Sequence, residues 1–280
     1  MNRNELAPLL NRVFQERLKA GIEKVPNPKF KNMWFVIPPA PPRQLPRALP
    51  AKAVAHASEI IAQLPNVEQA NLLDRLLSYL YVRKEAVESS RMEGTVSTID
   101  LVFTPGDLID AKEAKSEQSS VRGYAHALEN VLAKVPSEGL SIFNVELVSR
   151  LHRATMKYAP LFKGVPGKIR APGQPGEIVW IGKATRPEDS IYNPTPPKHV
   201  LRCLKDVMNW LGDEELVELG NAGMGIPIAV RLALGHAHFE AVHPFSDGNG
   251  RVGRMLLTLQ LACLGKIPLY LSGYIESEKA

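Results

Sequence analysis

Apolar residues recur at helical spacing through most of this 280-residue chain. Residues 51–63 and 69–93 form two such stretches. In the second, Leu72, Leu73, Leu76, Leu77 and Leu80 recur at helical spacing, and Gly94 stands where a left-handed C-cap would end the helix. Further helices are predicted at 119–135, 141–157 and 197–211. The last carries Val200, Leu204, Val207 and Leu211 as its stripe, behind a PTPP run that suits a helix start. The stretch GIPIAVRLALGHAHFEAV is apolar nearly all round, which predicts a buried central helix starting after Pro227. Pro244 disfavours helical geometry at the residue before it, so this helix should end at His243. The next runs from Gly250 to Leu264, with Val252, Leu256, Leu259 and Cys263 as its stripe and Gly265 as its stop. FSDGNG is then a tight loop joining two helices.

Two segments break the pattern. PNPKFKNMWFVIPPAPPRQLPRALP, residues 26–50, has too many prolines for a helix or a central strand. It is expected to run as an extended strap pinned by Phe30, Trp34, Phe35, Val36 and Ile37, in preference to serving as a proline-rich partner ligand. GKIRA, PGQPG and EIVWIG, spanning 167–182, read as strand, turn and strand. A lone hairpin is marginal and must pack on helices or offer its edge to something else. Residues 103–120, with Pro105 and Gly106, look like a long, loose connection.

A 45% hydrophobic composition over this length allows one large domain, or a domain with an appended subdomain, and argues against disorder. The net charge of +5 is spread over scattered lysines and arginines, which suits a phosphate-bearing ligand better than a DNA-binding tail. Cys203 and Cys263 fall in apolar helical patterns without CxxC spacing and read as buried thiols in a reducing compartment. The amino terminus has no apolar run of signal-peptide length, and no segment reaches the roughly 20 apolar residues that span a bilayer. A cytoplasmic location, with no membrane partner, is the expectation.

The candidate chemistry lies in HPFSDGNGRVGR, residues 243–254. A helix amino end presents unpaired N–H groups and partial positive charge, and the glycines let phosphate oxygens approach the backbone. Arg251 and Arg254, three apart on one face, add fixed charge. Asp247 is the loop's carboxylate, sufficient for a Mg²⁺ held mainly by a nucleotide's phosphates. His243, at a helix carboxyl end, is placed as a general base, although it could simply cap the last carbonyls. Phe245 reads as a core anchor under any function. The spacing of Gly248, Gly250 and Gly253 matches a dinucleotide fingerprint, but a helix precedes it and the spaced acid is missing; a P-loop lacks its GKS or GKT. His236, Glu240 and His243 fall at i, i+4 and i+7, the spacing of a zinc face, although HExxH is absent. His238 points away from that face and reads as a core histidine.

These residues resemble the signature of Fic-domain proteins, H-x-F-x-D/E-G-N-G-R-x-x-R, at every fixed position. The resemblance runs from residue 70 onward and takes in Leu151 to Arg153, the VWIG ending of the hairpin and the HAHFEAVHPF approach. It implies an all-α Fic-fold helical core with a small β-hairpin flap and a helical N-terminal extension, the extension at 1–118 and the catalytic core at 119–280. The implied activity is that of a protein adenylyltransferase, moving AMP from ATP to a serine, threonine or tyrosine hydroxyl of a target protein or of itself. By resemblance His243 is the catalytic base and Asp247 the Mg²⁺ ligand. Gly248, Asn249 and Gly250 form the anion hole, Arg251 meets the β phosphate and Arg254 the γ phosphate. Ile178, Val179, Trp180 and Ile181 form the flap that docks the target by main-chain pairing. SSRMEG resembles the family's inhibitory motif S/T-x-x-x-E-G/N, with Ser89, Glu93 and Gly94 at its fixed positions and Ser89 and Glu93 on one helix face. Such members often continue into a small carboxy-terminal module, so a truncated core is expected here; DNA is a partner only if such a module binds it, and a homodimer is a further expectation. The alternatives are removal of AMP or transfer of another phosphate-containing group at the same site, and a nucleotide- or DNA-binding regulator.

Overall fold

The computed structural model describes residues 22–24, 34–45, 51–95, 98, 115–182, 190, 192–268 and 271–277. Two short strands, β1 (Ile22–Lys24) and β2 (Trp34–Val36), pair antiparallel. The helices are α1 (Ala51–Gln63), α2 (Leu72–Arg91), α3 (Glu117–Leu132), α4 (Val135–Glu138), α5 (Val145–Met156), α6 (Pro197–Leu211), α7 (Glu214–Asn221), α8 (Ile228–Val242), α9 (Asn249–Cys263) and α10 (Ser272–Ser277). Their starts follow local chemistry. Asn71 and Asp74 form a reciprocal capping box on α2, and Ser116, Asn144 and Asp213 each accept a backbone N–H in the first turn of α3, α5 and α7. Gly94, after α2, has φ 86°, the left-handed conformation its position predicts.

The central helix is α9. It packs on α8, α5, α3 and α2, and Val252, Met255, Leu256 and Leu259 are fully enclosed. The sequence assigned that place to α8, whose bounds are as expected but whose Ala233 and Ala237 face outward. Alanine raises the apolar count of a helix without demanding burial, so an all-round apolar pattern built on it overstates enclosure. Val82, Ala86 and Val87 of α2 share one core with Val121 of α3, Leu147 of α5 and Leu204 of α6. This anchors the carboxyl half of α2 beside α9. Its amino half is exposed, including Leu72, Leu73 and Leu76.

The strap is as expected where it is described. Phe35, Val36 and Ile37 are buried, Val36 N–H donates to Asn193 O at 3.0 Å, and Trp210 Nε1 donates to Pro42 O at 2.9 Å. Phe30, the Trp34 side chain and residues 103–114 lie outside the described residues. Cys203 is buried, Cys263 half-buried, and both are free thiols. No helix among the described residues is long and apolar enough to cross a membrane.

The hairpin expected at 167–182 is a correction. Residues 172–176 run through turns, with Gly173 and Gly176 at φ 77° and 74°, and the pairing among the described residues is a single antiparallel bridge between Ile181 and Tyr192. The backbone of the intended first strand is occupied elsewhere: Arg170 N–H donates to Pro244 O at 2.9 Å. With that donor committed to the 243–254 loop, EIVWIG has no partner strand within its own segment.

Candidate functional site

The loop between α8 and α9 is fixed by its own side chains. Asn249 closes it, its Oδ1 accepting Phe245 N–H and its Nδ2 donating to Phe245 O, both at 2.9 Å. The amide of Asn249 is thereby committed to the loop, leaving its backbone N–H for an anion. Gly248 has φ 76°, and a Cβ there would meet Met156 Sδ at 2.6 Å, so both conformation and space require glycine. Asp247 is exposed, and its Oδ1 accepts the N–H of Gly248 at 2.6 Å. Among the described residues no group of three or more acids, histidines or cysteines could hold a metal, so the zinc face of His236, Glu240 and His243 finds no support.

His243 caps α8 with φ 52°, the left-handed region that non-glycine residues seldom adopt. Its ring does not serve the carbonyls of Val242 and His243. Arg170 does: its Nη2 donates to Val242 O at 3.2 Å and to His243 O at 2.7 Å, and its Nε to His243 O at 2.8 Å. The same guanidinium reaches Glu177 O at 2.7 Å and Thr195 O at 3.0 Å, tying the 167–182 segment to the loop that follows α8. Burial, with Tyr192 opposing, lowers Arg170 to about 9. Burial first, and then the neighbouring Arg170, lowers His243 to about 4, so its imidazole is neutral and able to accept a proton.

His152 is the second residue whose role the sequence did not disclose. Its ring stacks on Phe245 with centroids 3.8 Å apart. Nδ1 accepts Gly167 N–H at 2.7 Å, so Nε2 carries the proton and donates to Asp247 O at 3.0 Å. Burial pushes the ring down to about 4, which preserves that tautomer. The anchor expected of Phe245 is thus present, and His152 extends it to Asp247. Both helpers act on a loop far away in the chain, which no local pattern in GKIRA or LHR announces.

The two arginines diverge. Arg251 approaches Ser120 Oγ of α3 at 3.4 Å, whereas Arg254 turns to α2. Arg254 Nε donates to Ser89 Oγ at 2.7 Å, and its Nη2 donates to Ser89 O at 2.8 Å and Glu93 Oε1 at 2.7 Å. A Cβ on Gly250 would lie 2.5 Å from Glu93 Oε1 and 2.9 Å from Arg254 Nη1. The carboxylate of Glu93 therefore rests directly over the amino end of α9. Gly94 contributes through its backbone conformation alone, since nothing lies near the place of its Cβ.

Ile178, Val179, Trp180 and Ile181 are half-buried. Ile181 N–H donates to Tyr192 O at 2.8 Å, while Ile178 and Val179 make no backbone hydrogen bond with the described residues. Gly176 lies against Ser246, its would-be Cβ 3.1 Å from Ser246 Cβ. This open backbone thus borders the loop that carries His243.

Comparison with known proteins agrees with this arrangement. The model of the Fic/DOC family matches residues 142–261, and that of the Fic/DOC family N-terminal region matches residues 51–133. Protein adenylyltransferase fic-1 of Caenorhabditis elegans is 26% identical over 228 residues, covering 80% of this chain and 40% of the relative. Probable protein adenylyltransferase aq_aa38 of Aquifex aeolicus is 30% identical over 119 residues, covering 37% of this chain and 34% of the relative. The chain thus spans well under half the length of these relatives. A Fic family protein from Desulfovibrio desulfuricans G20 shares the fold with a TM-score of 0.55 at 20% identity, covering 82% of this chain and 64% of that one. Fic-1 from C. elegans does so with a TM-score of 0.53 at 21% identity, covering 81% and 61%. With the two family models matching adjoining stretches around a loop of this geometry, the chain belongs to the Fic/DOC family.

Proposed function

We propose that the chain is a protein adenylyltransferase, moving AMP from ATP to a hydroxyl of a target protein and held in check by Glu93. The observation that carries the reading is a neutral, low-pKa histidine, held in the left-handed conformation at the end of α8, beside a glycine-lined helix amino end with two buried arginines. His243 takes the proton of the target hydroxyl as its oxygen attacks the α phosphorus; the bond to the bridging oxygen breaks and pyrophosphate leaves. The backbone at Gly248, Asn249 and Gly250 lines the phosphates, the N–H groups of Asn249 and Gly250 donating while that of Gly248 is held by Asp247 Oδ1, and Arg251 and Arg254 neutralise the leaving group. Asp247 suits Mg²⁺, because it is an exposed carboxylate at the rim of the loop whose bond to Gly248 uses Oδ1. That ion would supply charge neutralisation on the phosphates. Ile178 and Val179, which make no backbone hydrogen bond with the described residues, would receive an extended target segment.

Glu93 and the γ phosphate compete for Arg254. A charge-assisted pair at 2.7 Å, half sheltered from water, holds the guanidinium away from the nucleotide. ATP bound without that contact is left misaligned for in-line attack. Removal of AMP is the second reading, favoured by a Glu93 side chain that is 33% exposed and so accessible to a water it could orient. Incubation with ATP labelled at the α or the γ phosphate tests the main reading. Label retained on protein from the α position alone supports it; retention from γ contradicts it.

A further inference from the structure

Glu240 lies on α8 one turn before His243, and its Oε2 is 3.7 Å from His243 Nδ1. Both His243 Nδ1 and Glu240 Oε1 are buried without a hydrogen-bond partner. The carboxylate rests against the backbone of α9 at Gly253, where a Cβ would lie 2.3 Å from Glu240 Oε1 and 3.1 Å from His236 Nδ1. The charged and titratable groups facing it are His236 and His243 of α8, Arg254 of α9 and Glu93 of α2, with Arg170 acting on His243 from the 167–182 segment.

Charge balance singles Glu240 out. When His243 takes a proton it becomes a cation beside the Arg170 guanidinium, an arrangement that needs an opposite charge. Glu93 is engaged by Arg254, and Asp247 by Gly248 N–H. Resting on the transfer reading above, we propose that Glu240 is a positioning residue whose carboxylate accepts Nδ1–H of His243, fixes the tautomer with Nε2 toward the target hydroxyl, and offsets the charge the ring acquires. The hydroxyl proton goes to Nε2, the Nδ1 proton stays in place, and Glu240 remains ionised throughout the step. The present separation exceeds a hydrogen bond, and such contacts tighten when substrates bind.

This gives Glu93 a second effect. Burial raises Glu240, Arg254 opposes and Glu93 raises it further, to about 7. Withdrawal of Glu93 removes a like charge and leaves Arg254 unpaired, both of which favour the ionised Glu240 that His243 needs. One carboxylate then withholds the γ-phosphate contact and weakens the base together.

Imidazole nitrogen NMR of His243 in the full chain, followed through the titration of Glu240 near 7, tests this without turnover. The expected result is an Nδ1–H tautomer above that range, with resonances that move as Glu240 protonates, and loss of that movement in Glu240→Gln. In a Glu93→Gly background, Glu240→Gln should lower kcat roughly 10- to 100-fold with KM for ATP unchanged, and Glu240→Asp should recover part of it. An Nε2–H tautomer in the wild-type chain above that range, or an unchanged His243 titration in Glu240→Gln, overturns the proposal. If label from ATP never reaches protein, the transfer reading fails, while the NMR result still decides what Glu240 does to His243.

Discussion

At the residue scale the site turns on side chains that hold other side chains. Arg170 satisfies the carbonyls of Val242 and His243 at the end of α8, and so fixes the backbone that carries the imidazole. His243→Ala should leave ATP affinity intact and reduce transfer by roughly 10² to 10⁴-fold, the range of a general base; calorimetry and a rate assay separate the two quantities. Arg170→Lys should do more damage than its charge suggests. Lysine cannot fork to the carbonyls of Glu177, Thr195, Val242 and His243 together, and each buried acceptor left unpaired costs about 1 to 3 kcal/mol. A drop in thermal midpoint together with a loss of kcat is expected; retention of both would show that the αL geometry of His243 is set elsewhere.

At the element scale, the amino end of α9 is the shared surface on which α2, the α8 carboxyl end and the flap segment converge. Replacing Val179 with proline should spare nucleotide binding and impair modification of proteins, because a backbone donor facing the target is lost. Equal loss of ATP binding would remove the flap from target docking. How much of this was legible depended on whether the cause was local. The bounds of α1, α6, α8 and α9 follow from periodicity, proline and glycine, whereas Ser89 and Glu93 stood out through the family resemblance, spacing adding only that they share a face. The strand expected of EIVWIG did not form because its partner backbone answers to Pro244, more than seventy residues along the chain. Helix α7 went unnoticed although Asp213 caps it, since eight residues with one buried leucine give little periodic signal. His152 and Arg170 act across similar distances, and Glu240 showed only as a member of a histidine face.

For the whole molecule, burial of ionisable groups sets the response to pH. His152, His236, His238 and His243 all lie below their ordinary value of 6.5 because burial disfavours the charged ring. The unfolded chain therefore binds more protons below 6.5, so their contribution is complete above that value and is lost as pH falls toward about 4, where His152 and His243 titrate. Glu240, raised by burial to about 7, works in the opposite sense, adding stability as pH falls between 7 and its ordinary 4.5. Denaturant midpoints should thus decline on acidification, and Glu240→Gln should decline more steeply; a flat profile in both would show that these rings are not buried neutral. The central claim is that this site transfers AMP and that Glu93 restrains it by holding Arg254. Its most direct test is the rate of AMP incorporation, on self and on lysate proteins, for the wild-type chain, Glu93→Gly, and Glu93→Gly combined with Arg254→Ala. A rise in the single variant that the second substitution abolishes, with little change in ATP affinity between wild type and Glu93→Gly, is the predicted result; a folded Glu93→Gly chain that incorporates AMP no faster than wild type would contradict it.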